Sequence, residues 1–206
     1  PPRSTLFPYT TLFRSNSDIK LIRMNEGTKM LGLISDRQSD RSYSDQAVEK
    51  EKLERVLEAG RLAPSACNAQ PWKFVVVTDT ELLKKISSAA SETVLRMNMF
   101  VVQAPVIIAV VREKPDLSSR IGGKIMKKDY SLIDIGIASE NICLQARAEG
   151  LGSCMIGWFD EDEVSRILEI PESKRVELLI SLGYSTAEKR PKKRKSPGEV
   201  ISYNKY

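Results

Sequence analysis

The sequence predicts one α+β domain, built as a sandwich of helices and a small sheet. Two short runs, 73–78 (KFVVVT) and 106–112 (VIIAVVR), are rich in β-branched residues and lack polar alternation, which is typical of strands covered on both faces. Strand and helix do not alternate strictly along the chain, which disfavours a doubly wound sheet. The chain has 206 residues, 41% of them hydrophobic, which suits one compact domain with its own core.

Five helices are expected around these strands. The second carries Leu53, Val56 and Leu57 on one stripe, with charges opposite, and Pro64 stops it. The fourth is the longest and is apolar on almost every side, so it needs cover all round, from its own chain or from a second subunit. Gly150 stands where its left-handed cap belongs. The predicted helices span residues 30–36, 49–62, 81–90, 129–149 and 161–169.

Two further strands are predicted at 153–158 and 175–182. A last segment, 199–203, has the composition of a strand. It follows the Pro- and Lys-rich stretch 191–198 and has no partner near it in sequence. The segment is therefore an orphan if the chain acts alone.

Residues 1–29 stand apart from this domain. Residues 1–15 (PPRSTLFPYTTLFRS) repeat Thr-Leu-Phe without any helical or strand period, and they lack the basic start and apolar core of a signal peptide. We predict a non-native or disordered leader over 1–29 and the folded domain over 30–206, with the natural start at Met24 or Met30.

The composition excludes several kinds of chemistry. The chain has no histidine, which removes Ser-His-Asp triads, imidazole bases and His-ligated zinc or haem. Its cysteines, Cys67, Cys143 and Cys154, lie far apart and make neither a disulfide framework nor a four-cysteine zinc site. We therefore expect no metal and a reducing, cytoplasmic location. The longest apolar stretch, 100–111, is too short for a membrane helix.

The net charge of +5 is unevenly distributed. Six of the seven residues from 189 to 195 are Lys or Arg, and with a basic leader this leaves the remaining body acidic. The basic run fits a solvated tail, a nucleic-acid patch or a local anion site. A protein that wraps a duplex usually spreads its basic residues over a face, which this chain does not do.

Three polar clusters lie at the junctions of the predicted elements. Arg37, Ser39 and Arg41 alternate, so in an extended segment they project to one side and make a phosphate clamp, although such a pattern also occurs on solvated loops. Residues 63–72 (APSACNAQPW) present small polar groups between two prolines, either to the edge of a planar ligand or as an ordinary connection. Residues 150–157 (GLGSCMIG) lack the dinucleotide fingerprint, but their glycines allow a ligand to approach the backbone.

Neither candidate cysteine nucleophile is favoured. Cys154 stands in an apolar strand without a histidine to activate it, so an inert buried thiol is expected. Cys67 is better exposed, and it too is interpreted as structural.

Taken together and in order, these clusters resemble the nitroreductase family of FMN-dependent oxidoreductases, over about residues 30–206. The segments that carry the resemblance are 37–43 (RQSDRSY), 63–74 (APSACNAQPWKF), 104–105 (AP), 134–138 (DIGIA), 150–152 (GLG) and 182–184 (LGY). The resemblance implies a nitroreductase-like α/β sandwich with a central, mixed, mostly antiparallel sheet flanked by helices. It also implies an intertwined homodimer with two FMN sites at its interface, in which the long helix packs on its twin and a C-terminal arm, about 186–206, reaches over the partner.

The resemblance implies a cofactor site but no catalytic side chain, because the flavin N5 carries the hydride. One subunit holds the FMN phosphate and the ribityl chain or ring edge with Arg37, Gln38, Ser39 and Arg41. The other contributes Pro64, Ser65, Ala66 and Asn68, where Ala66 replaces a serine that many members have. Ile156 and Gly157 line the ring through backbone, and Lys192 and Arg194 match a Lys-x-Arg that closes on the phosphate.

The implied activity is hydride transfer from NADH or NADPH through the flavin to a small planar acceptor, by ping-pong turnover. Nitroaromatics, quinones and activated alkenes are the expected acceptors, and solvent supplies the protons. Within the family, a reductive dehalogenase or a flavin-consuming enzyme is the alternative. An FMN carrier without turnover, or a nucleic-acid-binding module that uses residues 189–195, are the rivals from other classes.

Overall fold

The computed structural model describes residues 26–91, 97–113 and 128–206. Residues 33–206 form one compact unit. The predicted leader lies outside the described residues except for its last part, where helix α1 (Glu26–Asp36) begins earlier than predicted.

The other helices agree closely with their predicted spans. They are α2 (Lys50–Arg61), α3 (Thr80–Ala90), α4 (Tyr130–Ala148) and α5 (Glu161–Ile167), with 3-10 turns at Ala66–Asn68 and Met99–Gln103. Asp79 caps α3 by accepting from Glu81 N and Leu82 N. Gly150 follows α4 with φ 78°, which confirms the predicted left-handed cap.

The sheet contains four described strands in the order β1-β2-β4-β3, and every neighbouring pair is antiparallel. Its strands are β1 (Trp72–Val77), β2 (Val106–Arg112), β3 (Gly152–Ile156) and β4 (Arg175–Gly183). At the β3 edge, Ser39 forms a parallel bridge with Ser153. The four described strands thus form an antiparallel sheet, and the parallel pairing that the sequence resemblance implies is limited, among the described residues, to this isolated bridge.

The core occupies both faces of the sheet, because β2 alternates between them. Val106, Ile108 and Val110 pack on one face with Ile142 of α4. Ile107, Ala109 and Val111 pack on the other face with Ile86 of α3. All six of these β2 side chains are buried, which explains why the strand has no polar alternation.

Helix α4 is covered on one side by α2 and the sheet. Ile135, Ala138 and Ile142 are buried there. Leu132 and Ile133, by contrast, remain 46% and 54% exposed. The apolar residues that led us to expect cover all round are therefore only partly covered within this chain.

The prediction of a strand at 199–203 is wrong. Residues Pro197–Val200 form a short helix, α6. Its Glu199 carboxylate accepts from the backbone N–H of Ser196 at 2.9 Å, and Pro197 occupies the first turn. Ser-Pro-x-Glu is a signature of a helix N-terminus, and this local signal outweighs the β-rich composition that follows.

Among the described residues, no helix is both long enough and apolar enough to cross a membrane.

Candidate functional site

A cavity of about 530 Å³ lies where the segment after α1 meets the C-terminal tail. One wall is formed by residues 35–39 and Arg41, and the other by residues 189–194. The structure thus brings together two predicted groups of site residues that are about 150 positions apart in the chain: Arg37, Gln38, Ser39 and Arg41 with Lys192 and Arg194.

The first wall begins at the end of α1, and residues 37–41 continue it beside β3. Asp40 N donates to Ser153 O at 3.0 Å, so this segment runs along β3 as an additional edge. Arg37, Ser39 and Arg41 alternate along it and all line the cavity. Asp40 lies between Ser39 and Arg41 and is 2% exposed.

The buried Asp40 carboxylate fixes this wall from beneath. Its Oδ1 accepts from Gln38 Nε2 at 2.9 Å and from Ser185 Oγ at 2.7 Å. A Cβ at Gly152 would lie 2.8 Å from Asp40 Oδ2 and 2.6 Å from Ser185 Cβ. Gly152 is one of the glycines expected to allow a ligand close to the backbone, but the group that lies close to it is the Asp40 carboxylate.

Gln38 and Arg190 provide one set of hydrogen bonds between the tail and the first wall. The Gln38 carboxamide donates to Glu188 O at 3.1 Å and accepts from Arg190 N at 3.1 Å. The Arg190 guanidinium donates to Ser39 O at 2.6 Å. These bonds hold the tail over the cavity within one chain, and sequence reasoning did not single out Arg190 among the basic residues of its run.

Lys192 is placed in the cavity wall but faces the end of α1. Its ammonium lies 2.6 Å from Ile34 O, 3.0 Å from Ser35 O and 2.6 Å from Arg37 O. An ammonium has three donors, and these carbonyls use them. Desolvation, followed by repulsion from Arg37 and Arg194, lowers the pKa of Lys192. The predicted contact of Lys192 with a phosphate stays a prediction, since it requires these bonds to be exchanged.

The cavity is strongly electropositive. Seven of its lining residues are Lys or Arg and one, Asp36, is acidic. Asp36 pairs with Lys189, whose hydrogen bond lowers the pKa of that carboxyl, and Arg37 Nε lies 3.1 Å from Glu140 Oε1. Within the described parts of the chain, Arg41 and Lys193 make no ion pair, so their charges are available to an anion.

The second predicted group does not line this cavity. Pro64, Ser65, Ala66 and Asn68 lie in the connection from α2 to β1, where the Ala66–Asn68 turn packs beside α4. Cys67, Asn68 and Gln70 have φ of 53°, 55° and 46°, a left-handed conformation that is strained for residues with a side chain. This arrangement is compatible with the implied contribution to a site on another subunit, which stays a prediction.

The third predicted group is at the end of β3. Ile156 is 3% exposed, so its side chain belongs to the core, whereas the Gly157 backbone is open and a Cβ there would meet nothing within 4 Å. Trp158 follows with 58% of its surface exposed. Asn98, to which sequence reasoning gave no role, braces this end by donating to Trp158 O at 2.8 Å and Ala90 O at 3.2 Å.

Two of the three cysteines, Cys143 and Cys154, have the burial expected of structural thiols. Cys143 and Cys154 are 2% and 3% exposed. Burial raises the pKa of Cys143 to about 11 and also raises the pKa of Cys154, so neither is a thiolate at neutral pH. Cys67 is exposed.

The structure is an α+β sandwich with a basic cavity at one sheet edge, and the charge of that cavity is suited to an anionic group. The family model described as "Nitroreductase family" matches residues 34–99 and 96–184. The chain belongs to the nitroreductase family.

Individual relatives support the assignment. The chain is 38% identical over 163 residues to an Archaeoglobus fulgidus protein named as an NADH dehydrogenase/NAD(P)H nitroreductase, covering 77% of this chain and 87% of the relative. It is 29% identical over 192 residues to the Bacillus subtilis FMN reductase [NAD(P)H], covering 87% and 74%. Among solved structures, the FMN-dependent nitroreductase of Clostridium difficile has a TM-score of 0.70 at 30% identity, covering 85% of this chain and 99% of that one.

Proposed function

We propose that this chain is an FMN-dependent NAD(P)H oxidoreductase that acts on small planar acceptors such as nitroaromatics, quinones or activated alkenes. The observation that carries the proposal is the basic cavity in which residues 35–41 meet residues 189–194. The proposal is supported by family membership and by the FMN and NAD(P)H in the names of the B. subtilis and C. difficile relatives.

The residues of the cavity fit a phosphate monoester. A phosphate of this kind carries about two negative charges at neutral pH and offers several acceptor oxygens. Arg37 and Arg41 supply planar, permanently charged donors, and the Ser39 hydroxyl between them supplies a third donor on the same side. We assign the FMN phosphate to these three side chains, with Gln38 beside them and Arg194 closing from the tail.

Lys192 stabilises the backbone next to these phosphate-binding side chains. Its bonds to Ile34 O, Ser35 O and Arg37 O hold the backbone at the point where Arg37 leaves α1. The same positive charge lies at the negative end of the α1 dipole and adds to the potential that attracts the phosphate. Its contribution to FMN binding is therefore made chiefly through position and charge.

When bound, FMN supplies hydride acceptance from NAD(P)H and hydride delivery to the acceptor in alternating half-reactions, a chemistry that needs no histidine. The chain's own part is to orient the cofactor through Pro64, Ser65, Ala66 and Asn68 and through the backbone of Ile156 and Gly157. This sequence has no imidazole, and we propose that solvent delivers the protons.

We also propose that the active form is a homodimer. The exposed face of α4 carries Leu132, Ile133 and Ile137, at 46%, 54% and 38% exposure. The tail beyond the cavity also exposes Val200, Ile201 and Tyr203, at 64%, 51% and 78%. Exposed apolar side chains grouped on one element are typical of an interface, and in the proposed dimer a second copy with its own α4 and tail covers both groups.

The first experiment is a visible spectrum of the purified protein, followed by anaerobic addition of NADH or NADPH. We expect bound flavin at one FMN per subunit, bleached by at least one nicotinamide and restored by a nitroaromatic or quinone. A colourless protein that ignores added FMN would overturn the proposal. Bound flavin that neither nicotinamide reduces would identify a carrier. Restoration only by a halogenated acceptor would identify a reductive dehalogenase.

The hydrogen bonds of the tail disfavour the rival function in nucleic-acid binding. Arg190 and Lys192 direct their donors to carbonyl oxygens of residues 34–39 in the same chain. Two residues of the basic run are thus hydrogen-bonded within their own chain. A duplex titration at two salt concentrations should show weak binding that does not distinguish wild type from a Lys193→Ala variant.

A further inference from the structure

The turn between α2 and β1 is held in a strained conformation. Three of its four residues from 67 to 70 have left-handed φ angles although none is glycine. Each costs free energy relative to an ordinary conformation and persists because surrounding contacts hold it. Backbone strain of this kind is often found at functional sites, so we ask what this exposed turn does in an enzyme of the nitroreductase family.

The hydrogen bonds of the turn show which of its donors remain for a ligand. Asn68 N donates to Ser65 O and Ala69 N donates to Ala66 O, both at 3.0 Å. Gln70 N donates to Ser65 Oγ at 2.9 Å, so the Ser65 hydroxyl is used as an internal brace. Within the described contacts, the backbone N–H of Cys67 and the side-chain amide of Asn68 have no partner, and both residues are exposed.

Asp134 anchors this turn from the side of α4. Its two carboxylate oxygens each lie 3.2 Å from the backbone N of Ala66, and the residue is 4% exposed. A buried carboxylate is costly unless it accepts hydrogen bonds, and the Ala66 N–H, shared between its two oxygens, is the donor that the described contacts give it. Ala66 directly precedes Cys67 and Asn68, whose free donors its position controls.

We propose that Asp134 is a positioning residue for the cofactor: it holds the Ala66–Asn68 turn so that the Cys67 N–H and the Asn68 carboxamide face the flavin ring. The inference rests on the proposed function. Asp134 itself does not contact the cofactor, because its carboxylate is hydrogen-bonded to the backbone N–H of Ala66. The two free donors suit the carbonyl oxygens and ring nitrogens along one edge of a flavin.

The test compares Asp134→Ala and Asp134→Asn with a matched control, Asp129→Ala. Asp129 caps the same helix by accepting from Ser131 N at 3.1 Å and pairs with Arg112 at 2.8 Å, so its loss weakens α4 without touching the turn. The measurements are the Kd for FMN by fluorescence quenching, the visible absorption and circular dichroism of saturated protein, and the urea midpoint of each variant.

We expect Asp134→Ala to raise the Kd for FMN by about tenfold, the effect of displacing one hydrogen-bond donor of the turn from the flavin, and to shift the flavin spectrum at saturation. Asp134→Asn retains an acceptor for Ala66 N–H and should recover most of the affinity and the spectrum. Asp129→Ala should lower the urea midpoint but leave both flavin readouts unchanged. Wild-type affinity and spectrum in Asp134→Ala, or equal losses in Asp129→Ala, would overturn the inference.

The reactivity of Cys67 supplies a readout that needs no flavin. Because Cys143 and Cys154 are buried, a thiol reagent applied to the folded protein reports on Cys67. We expect its labelling rate to change in Asp134→Ala but not in Asp129→Ala, and FMN to protect Cys67 in wild type. If wild type binds no FMN, the proposed function fails. Equal labelling rates in wild type and Asp134→Ala would overturn the anchoring role independently.

Discussion

The ammonium of Lys192 donates a hydrogen bond of 2.6 Å to the carbonyl oxygen of Arg37, 155 positions earlier in the chain. The bond joins the C-terminal tail to the residue that we assign to the FMN phosphate. Ile34 O and Ser35 O complete the partners of the same ammonium. The tail is therefore part of the structure that fixes the phosphate clamp.

Replacing Lys192 by Ala should cost stability as well as affinity. The change leaves three carbonyl oxygens at the end of α1 without their cation and removes a favourable charge at the helix C-terminus. We expect a loss of about 1–2 kcal/mol in the free energy of unfolding, measured by urea titration of the flavin-free protein. Lys195→Ala, a neighbouring change outside the cavity, is the control and should behave as wild type. Equal stability of the two variants would contradict the capping role.

Arg37→Ala tests the phosphate clamp itself. The side chain lines the cavity and makes one contact with Glu140 across 3.1 Å, so its loss should not unfold the protein. We expect the Kd for FMN to rise by about tenfold or more, since a charge-assisted hydrogen bond to the phosphate is lost. Arg61→Ala, which breaks an exposed pair with Glu58 on α2, serves as the control. Unchanged flavin affinity in Arg37→Ala would remove the main site assignment.

Substitution by alanine should affect two glycines of the same predicted cluster, Gly152 and Gly157, to different extents. At Gly152 a Cβ would lie 2.6 Å from Ser185 Cβ and 2.8 Å from Asp40 Oδ2, so Asp40 must shift and the cavity wall with it. At Gly157 a Cβ would meet nothing within 4 Å. We expect Gly152→Ala to lower the free energy of unfolding by about 1–3 kcal/mol and Gly157→Ala to leave it nearly unchanged, as measured by urea titration. A stable Gly152→Ala protein would show that the wall is looser than the structure indicates.

Local sequence signals predicted most of the fold. Strand β2 agrees with its prediction because Val106–Arg112 is an uninterrupted apolar and β-branched run, and α4 agrees because Gly150 marks its end. The segment 199–203 was mispredicted because β-rich composition was weighed above the capping signal at Ser196. A helix of four residues also offers too short a pattern for periodicity to detect.

The sequence grouped some of the residues that line the cavity, but it did not predict the hydrogen bonds that connect them. Alternation identified Arg37, Ser39 and Arg41, since side-chain direction in an extended segment follows from local geometry. The bonds of Arg190 and Lys192 to residues 34–39 join positions that are far apart in sequence, and no local pattern encodes them. The left-handed conformation of Cys67 and Asn68 could not be predicted from the sequence either, because the turn is anchored by Asp134, which lies on another element of the chain.

The last prediction concerns stability in acid. Hydrogen bonds from Arg55, at 2.7 and 2.8 Å, lower the pKa of Glu149 to about 2, with help from Gln145. A carboxyl with a lower pKa in the folded state stabilises the fold above its ordinary pKa of 4.5, and that contribution disappears as the pH falls towards 2. Glu149→Gln should therefore lower the Tm at pH 7, and the gap from wild type should close progressively between about pH 4.5 and 2, as followed by thermal melts. Glu58→Gln, at an exposed pair on α2, is the control and should change the Tm little at any pH. A gap for Glu149→Gln that stays constant with pH would show that the Arg55 pair does not contribute through its charge.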